Sequence, residues 1–323
     1  MRFTPEEIAD AQANVYALMP PTPQYAWPLL SQRLGCRVWV KHENHTPTGA
    51  FKVRGGMTYM SSLRQQQPQV RHVISATRGN HGQSIGLAAA RQGLSATIVV
   101  PHGNSVEKNA AMRALGVRLV EHGDDFQAAA EHARALADAD GMHMIPSFAR
   151  ELVRGVCTYW IEFFEHVQRA GNVPDVVFVP LGMGSGFAAA AAARAHSRVD
   201  CRLVAVVSSH ATAYLDSWRA GRVIQAPATT RLADGMACRA PDAEALAIVQ
   251  QEADDVIAVS DDEVAQAMRM FYTDTHNLAE GAGAAALAAA WQQRERWQGR
   301  TVGVTLSGGN VDASLFAEVL SQS

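Results

Sequence analysis

One lysine is distinguished by its setting. Lys52 lies in "GAFKVRGG" (residues 49–56), between Phe51 and Val53, with glycines on either side. The chain has only three lysines, Lys41, Lys52 and Lys108, and its other basic side chains are arginines. Arginine would supply charge alone, so a lysine is required where the chemistry needs an amine that can lose its proton. A surface lysine at a helix start is the ordinary alternative. The flanking aromatic and the small residues fit a buried pocket better.

Three further stretches put glycines or polar side chains at strand ends. In "PLGMGSGFAAA" (180–190) a hydrophobic strand gives way to Gly182, Met183, Gly184, Ser185 and Gly186, then to an alanine-rich helix. Such a turn exposes backbone N–H groups at a helix start, where the dipole favours a phosphate. The spacing is G-x-G-x-G with Phe187 next, and no Gly-Lys dipeptide occurs. The dinucleotide fingerprint and the Walker A loop are therefore both excluded. A close strand-to-helix turn without a ligand is the plain alternative.

In "SATRGNHGQSIG" (75–86), Thr77, Asn80, His81 and Gln83 surround another such turn. A single N-cap would start a helix, so the surplus of polar groups points to a bound carboxylate. In "TLSGGNVD" (305–312), Ser307 ends a strand at the place where open parallel sheets bind ligands.

Other constellations fail. "HENH" (42–45) spaces its histidines by three, not the four of the helical zinc motif, and no G-x-S-x-G elbow is present. Cys36, Cys157, Cys201 and Cys238 form no C-x-x-C pair, so free thiols and a reducing cytoplasm are expected. A net charge of −3 with scattered Lys and Arg gives no footprint for nucleic acid. The acidic start "MRFTPEEIADAQ" is not a signal peptide, and the alanine-rich runs are too short or too weakly apolar to span a bilayer. They read as close-packed interior helices.

These groups need a scaffold. Continuous β-branched runs at 37–41, 72–76, 96–100, 117–121, 176–180, 203–207, 256–259 and 301–306 read as strands buried on both faces. Helical stretches at 81–93, 105–115, 124–139, 150–170, 186–196, 261–274 and 280–297 separate them. The alternation predicts an α/β protein with parallel sheets. Ser105 and Gly116 bracket one helix, and Ser260 with Glu263 forms a capping box for another. Eight strands with their helices suggest two sheets, with a small domain inserted in a large one.

A deprotonatable lysine, a phosphate turn, a carboxylate turn and a strand-end serine imply one cofactor that carries a phosphate and an aldehyde and handles amino acids. That is pyridoxal 5'-phosphate, an electron sink that forms a Schiff base with lysine. The sequence also resembles the fold-type II (tryptophan synthase β-like) pyridoxal-phosphate enzymes, in the threonine dehydratase and serine racemase branch. "KHENHTPTGAFKVRGG", "SATRGNHGQS", "VPLGMGSG", "RLADGMA" and "TLSGGN" carry the resemblance in order, nearly end to end.

The resemblance implies two open, twisted, mostly parallel sheets flanked by helices. Residues 1–68 and 148–323 would form a large cofactor-binding domain, with 69–147 a small one inserted in it. It implies Lys52 as Schiff-base lysine and α-proton base, with Phe51 beside the cofactor ring. Asn80 would bond the ring's 3-hydroxyl, Gly182–Gly186 would hold the phosphate, and Ser307 would face the pyridine nitrogen. Thr77, Arg78, His81 and Gln83 fall in the substrate loop. A serine cannot hold the pyridine nitrogen as a full cation, which favours β-elimination over transamination or decarboxylation.

The expected activity is a dehydratase (ammonia-lyase) turning a β-hydroxy-α-amino acid, by default L-threonine or L-serine, into a 2-keto acid and ammonia. A bulkier substrate such as β-phenylserine or 3-hydroxyaspartate, or a β-replacement synthase, is the alternative. A binding protein that keeps the fold without the chemistry sits poorly with Lys52 and intact loops. Arg78 stands where the serine racemases carry a serine acid/base, and arginine is a poor proton shuttle. It either adds charge near the substrate carboxylate or faces solvent. Ser208 and Tyr214 stand where racemase-like members place divalent-cation ligands, so no metal is expected. A homodimer with a small-molecule partner, and neither nucleic acid nor membrane, completes the expectation.

Overall fold

The computed structural model describes residues 1–322 and contains two sheets. The six-stranded sheet is built from β1 (Gln24–Ala26), β2 (Arg37–His42), β7 (Val176–Pro180), β8 (Arg202–Ser208), β9 (Asp255–Val259) and β10 (Thr301–Leu306). The order across it is β1-β2-β10-β7-β8-β9. The four-stranded sheet holds β3 (His72–Ala76), β4 (Ser95–Val100), β5 (Arg118–Glu121) and β6 (His143–Met144), in the order β5-β4-β3-β6. Every pairing is parallel except that of β1 with β2. The continuous apolar runs account for this, since Val38–His42 and Leu203–Ser208 are buried on both faces.

The helices follow in chain order: α1 (Pro5–Tyr16), α2 (Pro28–Leu34), α3 (Lys52–Gln66), α4 (Asn80–Arg91), α5 (Val106–Ala114), α6 (Phe126–Asp140) and α7 (Arg150–Arg169). Then come α8 (Ser185–His196), α9 (Ala213–Ala220), α10 (Ala243–Glu252), α11 (Asp261–Thr275), α12 (Gly281–Gln292) and α13 (Ala313–Ser321). The alanine-rich α8 and α12 are interior, with Ala188–Ala193 and Ala284–Ala290 buried. Methyl-sized side chains let both helices lie close on the six-stranded sheet. Val53, Met57, Met60 and Leu63 of α3 share a core with Val73, Ile85 and Ile98 around the four-stranded sheet.

Both capping predictions hold. Ser105 accepts from the Lys108 N–H, and Ser260 and Glu263 form the reciprocal box. The predicted helix over 280–297 ends at Gln292, and a separate 3₁₀ turn covers Arg294–Trp297. Six helices (α1, α2, α3, α9, α10 and α13) and two short strands, β1 and β6, fall outside the predicted elements. For α1 the signal was present: Thr4 and Glu7 make a capping box, with Pro5 in the first turn. β1 and β6 have no β-branched run and exist only by pairing. Among the described residues, no helix is long and apolar enough to cross a membrane.

Candidate active site

The strand ends converge on one cleft. Lys52 is the first residue of α3, and the short segment before it is fastened to the end of β10. The Phe51 N–H donates to the Ser307 carbonyl at 3.0 Å, and Ala50 bridges to Gly308. Gly49, at φ 67°, makes the left-handed turn that brings this segment round. Lys52 thus emerges beside Ser307 and reaches across the cleft, where its Nζ donates to Ser185 Oγ at 2.8 Å. Burial without a carboxylate partner pushes the amine down to about 8. At pH 7 about one Lys52 in ten is therefore an uncharged base, far more than for a lysine at its ordinary value.

Ser185 begins α8, and Gly184 ahead of it has φ 99°. No side chain caps this helix, so its first N–H groups stay open to the cleft. A Cβ at Gly182 would lie 2.2 Å from the Gly235 carbonyl oxygen, so only glycine permits that close approach. These are the conditions for an anion cradle.

The turn after β3 supplies Thr77, Arg78, Asn80 and His81. The Thr77 hydroxyl accepts the Gly79 N–H at 3.0 Å and fixes the turn. Asn80 is oriented from two sides: its Nδ2 donates to Glu280, and its Oδ1 accepts from Asn310 Nδ2 at 2.9 Å. That leaves one amide N–H, a donor rather than an acceptor, unclaimed. Burial, reinforced by Lys52, pushes His81 down to about 3, and its Nε2 has no protein partner. His81 is a neutral imidazole.

Phe51, Lys52, Ser307 and the residues from Gly182 to Gly186 line the cleft together with Thr77, Arg78, Asn80 and His81. Gln83 does not; it is buried behind the wall in α4, with Nε2 unpartnered. Arg78 is half-buried on the cleft wall, not turned out to solvent.

Three charged residues of the lining were not among the site residues expected from sequence. Lys108 Nζ lies 2.7 Å from Asp234 and 3.1 Å from Glu280. Burial opposes charge on Lys108, but the two carboxylates outweigh it and hold the amine above the ordinary lysine value. Burial pushes the Glu280 carboxyl up against the pull of Lys108. The available signals were the scarcity of lysine and the stretch "RLADGMA", which contains Asp234. Among the described residues no group of three or more His, Cys, Asp or Glu could hold a metal. Ser208 instead accepts the His210 N–H at 3.1 Å, and the Tyr214 hydroxyl is buried behind Gly184.

The family description "Pyridoxal-phosphate dependent enzyme" matches residues 16–308, which includes every strand of both sheets. The chain belongs to the pyridoxal-phosphate dependent enzymes. Within this family it is 32% identical to an L-threonine ammonia-lyase of Geobacter sulfurreducens, over 90% of this chain and 72% of that protein. It is 29% identical to an L-threo-3-hydroxyaspartate ammonia-lyase of Saccharomyces cerevisiae, over 98% and 95%. The processed form of threonine deaminase isoform 2 from Solanum lycopersicum superposes with a TM-score of 0.86 at 27% identity, over 99% of this chain and 94% of that one.

The residues present fit pyridoxal 5'-phosphate, the family's cofactor. Lys52 offers a deprotonatable amine to an aldehyde, and the uncapped start of α8 offers N–H groups to a phosphate. Phe51, Asn80 and Ser307 line the same cleft.

Proposed function

We propose that the protein is a dehydratase (ammonia-lyase) of β-hydroxy-α-amino acids, with L-threonine and L-serine as its default substrates. The observation that carries this reading is the Lys52–Ser185 contact of 2.8 Å at the mouth of the phosphate cradle. An amine poised near neutrality is a base for an α-proton, and a hydroxyl beside it is a site where a proton can be held for a departing β-hydroxyl. The bound cofactor supplies the ring that accepts the electrons released with the α-proton.

Lys52 and Phe51 would hold the cofactor from the α3 side, Gly182–Gly186 its phosphate, Asn80 its 3-hydroxyl and Ser307 its ring nitrogen. Ser307 donates or accepts as a neutral hydroxyl, and Glu280 is already engaged by Asn80 and Lys108. No free carboxylate is thereby assigned to the ring nitrogen, and elimination is favoured over reactions that need a long-lived carbanion. Thr77, Arg78 and His81 would receive the substrate carboxylate. Loss of the α-hydrogen and β-hydroxyl as water leaves an enamine, and hydrolysis converts this to the 2-keto acid and ammonia. The relatives named as L-threonine and L-threo-3-hydroxyaspartate ammonia-lyases support this chemistry.

A second reading has its own observation. Arg78 lines the cleft and makes no ion pair there, whereas Lys108 is paired twice. A spare cation favours a substrate with a second carboxylate, such as 3-hydroxyaspartate. Four unpaired cysteines support a reducing, cytoplasmic setting, and a homodimer remains part of the proposal.

The test is to supply purified protein and cofactor with serine, threonine, 3-hydroxyaspartate and phenylserine in L and D forms, and to follow 2-keto acid release with the cofactor's absorbance. Keto acid from the parent but not from Lys52→Ala is the expected result. A cofactor band without keto acid from any substrate overturns the dehydratase and points to β-replacement.

A further inference from the structure

Beneath the Lys52 helix lies a group of four charges withdrawn from water. Arg54 follows Lys52 by two residues on α3. Its Nε and Nη2 donate to the two oxygens of Glu43 at 2.7 and 3.0 Å. Its Nη1 and Nη2 donate to those of Glu162 at 2.6 and 3.0 Å. The Thr158 and Thr22 hydroxyls accept from the same guanidinium at 3.0 and 3.3 Å. Lys41 spends its three protons on Glu162, Gln24 and the Thr22 carbonyl at 2.6, 2.8 and 2.8 Å. Arg54, Lys41 and Glu43 are each 0% exposed, and two cations face two anions.

Such a cluster is a poor way to gain stability alone, because well-packed apolar side chains of similar volume often serve as well or better. What it adds here is direction. Close contact already fixes how near α3 lies to α7: a Cβ at Gly155 would be 2.2 Å from the Arg54 carbonyl oxygen, and one at Gly55 2.7 Å from that of Leu152. Contact between smooth glycine surfaces leaves sliding and rotation open. A planar guanidinium forked onto carboxylates from two other elements closes both. Glu43 comes from the turn after β2 and Glu162 from α7.

We propose that Arg54 is a positioning residue, which by docking into Glu43 and Glu162 sets the rotation and axial register of the first turn of α3 and so aims Lys52 Nζ at Ser185 Oγ. The mechanical path is short. The Arg54 guanidinium lies 5.8 Å from the Tyr159 ring centroid, and that ring meets Phe51 edge-on at 6.0 Å. The catalytic meaning of this aim rests on the reading of Lys52 given above.

The test is the balanced variant Arg54→Met/Glu43→Gln, which removes one charge of each sign and leaves the Lys41–Glu162 pair intact. Thermal denaturation of the cofactor-free protein reports folding. Acetylation of Lys52 by acetic anhydride, followed by peptide mass spectrometry across pH, reports its titration; His81 is the titratable neighbour. We expect a folded variant whose Lys52 midpoint rises by about one pH unit or more. In the cofactor-loaded enzyme, kcat should fall about a hundredfold with KM little changed.

A folded variant with the parental Lys52 titration and kcat overturns the proposal. If the double variant does not fold, Arg54→Lys decides, because it keeps the charge but not the fork. The same Lys52 shift supports positioning, and parental behaviour overturns it. A parent enzyme that binds cofactor but releases no keto acid from any substrate would remove the ammonia-lyase reading and leave the labelling result standing as a separate test of geometry.

Discussion

Lys108 and Glu280 meet across the cleft at 3.1 Å, one on α5 beside the four-stranded sheet, the other at the N-cap of α12. Glu280 in turn holds the Asn80 amide, so the donor proposed for the cofactor's 3-hydroxyl depends on a cation from the opposite wall. Lys108→Met would leave Glu280 and Asp234 without that cation. Glu280 would then take a proton, and its charge-assisted hold on Asn80 would weaken. Cofactor affinity should drop by about tenfold to a hundredfold, as read by absorbance titration of the cofactor-free protein.

Lys52 sets a pH signature that needs no substrate. On the proposed role of Lys52, capture of the free cofactor uses its neutral amine, so the capture rate should climb through pH 8 and level off above it. Stopped-flow absorbance over pH 6–10 checks this; a rise centred near the ordinary lysine value of 10.5 would contradict it.

The same depressed value costs stability. Between about pH 8 and 10.5 the unfolded chain holds more protons on Lys52 than the folded one, so stability rises with pH across that window. Below it the full penalty is present, of the order of 3 kcal/mol from a shift of this size. Lys52→Met should therefore melt at or above the parental temperature at pH 7 in the absence of cofactor, although on the proposed role of Lys52 it should release no keto acid. Differential scanning calorimetry at pH 7 and pH 10 should show the gap narrowing at the higher pH.

His81 is held neutral at any working pH by burial and the nearby Lys52. The pH–rate profile should therefore lack a limb near 6.5 that His81→Asn removes. That substitution should raise KM through lost substrate contact and leave the shape of the profile unchanged.

Gly182→Ala places a methyl against the Gly235 carbonyl and must displace the phosphate turn. Inorganic phosphate at 100 times its Kd should stabilise the cofactor-free parent by about 2.7 kcal/mol through mass action. The resulting rise in thermal midpoint should vanish in Gly182→Ala.

The sequence made the strand positions legible because parallel strands buried on both faces show as unbroken apolar runs. The turns were legible too: Gly182–Gly186 and Thr77–His81 each carry more glycine or polar side chains than a plain helix start needs. Longer-range facts were hidden. Nothing local to Lys108, Asp234 or Glu280 announces that they meet, since each comes from a different element. Gln83 shows the converse. It belongs to the same polar run as Asn80 and His81, but its place in α4 directs it behind the cleft wall.

The scarcity of lysine leaves the outer surface almost without primary amines. Lys41 is 0% exposed and Lys108 6%, both neutralised by carboxylates, so the accessible amines are Lys52 in its cleft and the chain's amino terminus. An aldehyde diffusing over this molecule has almost nowhere else to condense. Excess cofactor should load one lysine and find only the terminal amine outside the cleft, and amine-directed dyes, crosslinkers or resins should react at little else wherever the cleft is filled.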